Sequence, residues 1–193
     1  DRVYLLADDI FDEMVSRNVG EYRYPLGGKL YVFNKNENIG FIKGHMCSPA
    51  IATQAEDLIA GGVKELIHVG YAGGLQPELV PGEIILTDGA FNDTAVARLY
   101  GYDYDIIHSS KDLTNEIEEM ITSAEILYKR GLHWTTDAGY RETWGQVMDY
   151  RDKGALCVEM EGVGLFTIAN YRKCVATGIY VAVSYTHLTL PTI

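Results

Sequence analysis

Two carboxylates, Glu159 and Glu161, stand two residues apart in the run Val158-Glu159-Met160-Glu161-Gly162. The run sits where a short apolar strand gives way to a helix, so one acid can be structural while the other faces a cleft. An ionised carboxylate accepts one hydrogen bond from each hydroxyl of a vicinal diol, the pair that a ribose offers. Both acids can equally complement the positive end of the following helix; the residues alone leave the two readings level. A second candidate is Val69-Gly70-Tyr71-Ala72-Gly73-Gly74-Leu75, which leaves the apolar strand Glu65–Val69. Glycines there predict a tight loop whose N–H groups converge on an anion or a hydroxyl. The run is neither G-x-G-x-x-G nor a P-loop, and a plain turn explains it as well. A third is Thr135–Thr143, in which Tyr140 can stack on a planar ring and Arg141 can donate to its carbonyl oxygens; there the alternative is a helix start with surface charges.

Other chemistries are poorly served. His45, His68, His108, His133 and His187 show no H-x-x-x-H or H-E-x-x-H spacing, so no metal centre is expected. No G-x-S-x-G elbow is present. Cys47, Cys157 and Cys174 are far apart and odd in number, which reads as free thiols in a cytoplasmic protein.

These segments need a frame to hold them. Lys29–Phe33 and Ile39–Lys43 flank the polar stretch 34–38, a hairpin-type connection. A helix opens at Ser48-Pro49, with Ser48 as cap, and stops at Gly61-Gly62. Strand patterns follow at Glu65–Val69, Glu83–Thr87, His133–Thr136, Ala155–Val158 and Ala176–Val183. Between them lie helical patterns at Asn115–Lys129, Glu142–Arg151 and Gly162–Asn170. The alternation predicts an α/β fold, a mixed, largely parallel central sheet flanked by helices. One domain over 1–184 is expected, C-terminally truncated, with 185–193 a non-native tail because it carries no helical period and ends abruptly; an ordinary edge strand is the alternative.

Composition narrows the partners. With 47% hydrophobic residues the chain can bury a sizeable core, and the net charge of −11 argues against nucleic acid or an anionic membrane as partner. No apolar run is long enough for a membrane-spanning helix.

Taken in order, Gly70–Leu75, Trp134–Thr143 and Val158–Glu161 resemble the nucleoside phosphorylase family, which includes purine nucleoside and uridine phosphorylases. Met46-Cys47-Ser48-Pro49 falls at the place of that family's loop before a helix, and the likeness spans roughly Gly44 to Ser184. The resemblance implies a three-layer fold. It also implies a pentosyltransferase that moves the sugar of a purine or pyrimidine nucleoside onto inorganic phosphate, in nucleoside salvage. Glu161 would hold the ribose hydroxyls with Glu159 beside it, Met160 would pack under the sugar, and Tyr140 and Arg141 would face the base. Gly70, Tyr71 and His68 would border the phosphate. Phosphate is then a co-substrate and no cofactor is implied; relatives commonly form homo-oligomers, dimer-based and up to hexamers.

Some positions depart from the family pattern. His68 and Tyr71 stand where phosphorylases often carry an Arg and a small hydroxyl residue, and Ala7-Asp8-Asp9 only echoes the amino-terminal Gly-Asp-Pro loop. Tyr185 stands where purine-acting relatives place the Asp that protonates the leaving base, so no catalytic acid is assigned. Two other readings therefore stay open: a nucleosidase of the methylthioadenosine/adenosylhomocysteine type, which Ala72-Gly73-Gly74-Leu75 also resembles, and an inactive nucleoside-binding fragment.

Overall fold

The computed structural model describes residues 1–24 and 27–184. The expected tail at 185–193, with Tyr185, lies outside the described residues. Along β1 (Arg2–Leu6), Val3 and Leu5 face one layer while Tyr4 and Leu6 face the other, the period-2 alternation of a strand covered on both sides. β4 (Asn36–Lys43) and β5 (Glu65–Gly74) flank it in parallel register. Val3, Leu5 and Leu66 pack with α2 (Ser48–Ala60) and α6 (Gly162–Arg172). On the opposite face, Ile67 meets α4 (Lys111–Ser123), and Leu6 and Phe41 meet α1 (Asp8–Ser16). Three layers result.

The sheet closes on itself at one end. β5 pairs with β10 (Val175–Ser184), β10 with β6 (Ile84–Asp93), β6 with β8 (Tyr128–Thr136), β8 with β9 (Cys157–Glu159), and β9 returns to β5. From the other edge of β5 run β1, β4, β3 (Leu30–Phe33) and β2 (Gly20–Tyr24), and β7 (Ile106–His108) edges β6. The expected largely parallel sheet is corrected to an evenly mixed one, with five parallel and five antiparallel pairings among the described residues. Alternation of strand and helix reveals that crossovers exist; it does not reveal that β9 and β10 will each meet a neighbour running the other way.

Several local expectations shift for identifiable reasons. Gly70, Gly73 and Gly74 do not leave the strand as a loop: β5 continues through them because β10 pairs along one edge and β9 along the other. The helix expected at Asn115–Lys129 runs instead over α4, since Glu125 adopts φ 56° and turns the chain into β8. Leu127, beyond that turn, is 90% exposed. The helix expected from Glu142 becomes a 3-10 turn at Gly139–Arg141 and then α5 (Trp144–Asp152), started by a capping box between Thr143 and Gln146. Short α3 (Val96–Leu99) lies against α6. Among the described residues no helix is long and apolar enough to cross a membrane.

Candidate active site

Where β5 emerges beside β9, a cleft of about 820 Å3 opens, bordered by Asp9, Lys43, His45, His68, Gly70, Tyr71 and Glu161. Glu161 caps α6 at the end of β9. Its Oε1 accepts the Cys47 N–H at 2.7 Å and its Oε2 accepts the Met160 N–H at 3.3 Å, which leaves acceptor capacity on both oxygens. Burial and the charge of Glu159 push its carboxyl up to about 7.

Glu159 has a different task. It is only 5% exposed. Its Oε1 lies 3.0 Å from His133 Nε2 and accepts the Thr135 hydroxyl at 2.5 Å. Its Oε2 accepts the N–H groups of Glu161 and Gly162, each at 2.8 Å. Burial drives this carboxyl up, but the contacts with His133 and Thr135 more than reverse that and hold it well below the usual range. With four hydrogen bonds in place, Glu159 has no acceptor position left for a sugar. One acid is structural and the other faces the cleft.

The donor atoms of His68, Glu159 and Glu161 lie within 4.8 Å of one another, but with Glu159 saturated that group offers two open ligands. His68 is buried, with Nδ1 3.5 Å from the Tyr180 hydroxyl, and burial lowers it to about 4. It stands neutral at pH 7. Tyr71 donates to Asp9 Oδ2 at 2.5 Å, while Asp9 Oδ1 accepts the Ile10 N–H at 2.9 Å. Asp9 thus occupies the exposed end of α1, where an anionic ligand would otherwise meet main-chain donors. Asp8 pairs with Lys43 at 2.7 Å.

Of the residues singled out from sequence, Glu161, His68, Gly70 and Tyr71 come together on this cleft. Tyr140 and Arg141 do not line it. They ride the 3-10 turn, where Tyr140 is fully exposed. Met160 lies between: its carbonyl accepts the Ser48 hydroxyl at 3.0 Å, and its sulfur approaches Gly139. Ser48 is therefore a strut and not the cap of α2. That place falls to Cys47, at φ 72° and ψ 149°.

Cys47, Thr135 and Asp9 lie in segments the sequence singles out, but their contacts, and the whole role of His133, escape sequence reasoning. Cys47 meets Glu161 across 114 residues and His133 meets Glu159 across 26, and no local pattern announces such pairs. The Cys47 conformation is one that only glycine adopts without strain, so Cys47→Gly is expected to raise stability by about 1 kcal/mol. Denaturant unfolding checks this, since the Cys47 N–H to Glu161 survives the change.

The raised Glu161 carboxyl sets two opposite pH trends. A diol binds the anion, so affinity for a sugar diol is expected to rise with pH up to about 7 and then level off. Calorimetric titration across that range checks it. Stability moves the other way: the folded chain holds this proton more tightly than the unfolded chain, whose carboxyl lies near 4.5. The contribution is complete below 4.5 and is lost as pH rises through about 7.

Residues 6–187 match the family model described as the phosphorylase superfamily. A purine nucleoside phosphorylase DeoD-type of Exiguobacterium sibiricum is 29% identical over 175 residues, 89% of this chain and 72% of that protein. The purine nucleoside phosphorylase DeoD-type 1 of Shewanella oneidensis is 27% identical over 196 residues, 97% of this chain and 80% of that protein. A DeoD-type protein of Bacillus cytotoxicus is 32% identical over 123 residues, 63% of this chain and 52% of that protein.

Proposed function

Because the chain belongs to the phosphorylase superfamily, we propose that it is a nucleoside phosphorylase acting on a purine nucleoside. The C1′–N bond to the base breaks, a C1′–O bond to inorganic phosphate forms, and the products are pentose 1-phosphate and free base. The observation that carries this reading is Glu161, a half-buried carboxylate with open acceptor positions on a cleft large enough for a nucleoside. The names of the similar proteins support the purine as substrate.

The chemistry follows from charge. As the glycosidic bond lengthens, the sugar becomes cationic and the base gains negative charge. An anion at the sugar hydroxyls interacts more strongly with that state than with the intact nucleoside, which lowers the barrier. Lys29, Lys43 and His45 border the same cleft and supply cationic and polar groups for a phosphate. The reaction calls for no metal or organic cofactor. Tyr140 and Arg141 lie on a turn outside the lining of the cleft.

One observation favours a second reading, hydrolysis. Asp9 already occupies the α1 terminus and holds Tyr71, and His68 is neutral, so this end of the cleft suits water better than an anion. Measuring base release from a purine nucleoside with and without phosphate separates the two. Phosphorolysis predicts release that requires phosphate and yields pentose 1-phosphate. Equal release without phosphate, yielding free pentose, contradicts it; binding without turnover contradicts both and leaves a nucleoside-binding protein.

A further inference from the structure

Gly162 marks a tight spot. A Cβ at this position would lie 2.5 Å from His133 Nε2 and 3.2 Å from Glu159 Oε1. The missing side chain makes room for the His133 imidazole, which is fully buried between Tyr180 and Phe166, with ring centroids 5.0 and 6.1 Å away. A leucine or phenylalanine would fill such a space as well, so packing alone gives no reason for a polar ring. The hydrogen bonds do. Nδ1 lies 2.6 Å from the Thr87 hydroxyl, which also contacts the Gly89 carbonyl at 2.9 Å and the Gly89 N–H at 3.1 Å. Nε2 faces a carboxylate oxygen, which only accepts, so the proton belongs on Nε2.

We propose that His133 is a positioning residue for the sugar-binding acid: by holding Oε1 of Glu159, it fixes the carboxylate whose Oε2 binds the N–H groups of Glu161 and Gly162, and so aims Glu161 into the cleft. This rests on the reading of Glu161 as the ligand of the pentose. The chain of contacts runs from Thr87 through His133 and Glu159 to the turn from which Glu161 projects, and every link but the last is buried. Without a donor at Nε2, the buried Glu159 carboxylate is left short of a partner and takes up a proton. Glu161 then loses the neighbouring negative charge that helps hold its own proton on. The groups facing Glu161 are Glu159 from β9, Cys47 ahead of α2, His68 and Tyr71 from β5, and Tyr180 from β10. Asp8 and Asp9 from α1, Lys29 just ahead of β3, Lys43 at the end of β4 and His45 just after it complete the surroundings. Of these, Glu159 hydrogen-bonds His133 and Tyr180 packs against its ring.

The test compares His133→Asn with His133→Gln by carbon-13 NMR titration of the glutamate carboxyls in the ligand-free protein. Asparagine keeps a polar atom near Thr87 but cannot reach Glu159; the glutamine amide reaches Glu159 as Nε2 does. His133→Asn is expected to move the Glu161 midpoint down by about one pH unit or more, with His133→Gln restoring it. In nucleoside turnover kcat/KM is expected to fall about tenfold in His133→Asn and to recover in His133→Gln, divided between kcat and KM as in Glu161→Gln. A folded His133→Asn protein with the wild-type Glu161 midpoint overturns the proposal. Should that variant not fold, His133→Leu carries the same test with the same two outcomes. Because the titration is made without nucleoside, it decides the role of His133 even if the wild-type chain binds no nucleoside at all, a result that would instead overturn the proposed function.

Discussion

Glu161→Gln is expected to cut kcat/KM for a purine ribonucleoside by about 10–100-fold, the equivalent of about 1–3 kcal/mol for charge-assisted hydrogen bonds to the sugar. The amide keeps the shape of the carboxylate and can still accept the Cys47 N–H through its oxygen. What it loses is the charge, and with it one of two acceptors. Loss concentrated in kcat would mean that the anion acts mainly on the cationic sugar of the transition state; loss concentrated in KM would mean that it mainly binds the ground-state diol. Either result keeps Glu161 in the site. An unchanged kcat/KM removes it.

Gly164→Ala is expected to destabilise the fold by about 3 kcal/mol, at the upper end for overpacking in a closed core, and to weaken nucleoside binding with it. A Cβ there would collide with the Ser48 carbonyl oxygen. That atom is backbone, so the two helices must move apart. Separation of α2 from α6 pulls on both ties between them near the cleft, the Ser48 hydroxyl to the Met160 carbonyl and the Cys47 N–H to Glu161. Thermal unfolding and calorimetry on one preparation check the pair of effects. Gly145→Ala serves as control, because nothing lies within 4 Å of a Cβ at that position. It is expected to leave binding alone and to raise stability by about 0.5–1 kcal/mol through helix propensity.

The sequence made parts of this legible. The strand-to-helix junction at Val158–Gly162 was readable as the place where one acid is structural and one faces out, because a carboxylate's acceptor chemistry and the change of backbone both show in the residues. Which acid takes which role turns on His133 and Thr135, neighbours only in three dimensions. Glycine is the usual turn former, so the glycine run reads as a loop in sequence. In the fold, two strands pair along it and carry the extended backbone onward. There Gly70 matters for space: a Cβ would come within 3.1 Å of the His68 ring. Tyr140 and Arg141 have the right chemistry for a base but sit on an exposed turn, and side-chain chemistry does not tell where a turn will point. The strain at Cys47 was invisible, since nothing in a cysteine's surroundings in sequence signals a positive φ.

The most direct measurement is calorimetric binding of a purine ribonucleoside and its 2′,3′-dideoxy counterpart to the wild-type chain and to Glu161→Gln. If the side chain at position 161 receives the hydroxyls, their removal weakens wild-type binding by about 10–100-fold and affects the glutamine variant far less, a coupling between the two changes. Equal losses in both proteins would show that the hydroxyls and the acid never meet.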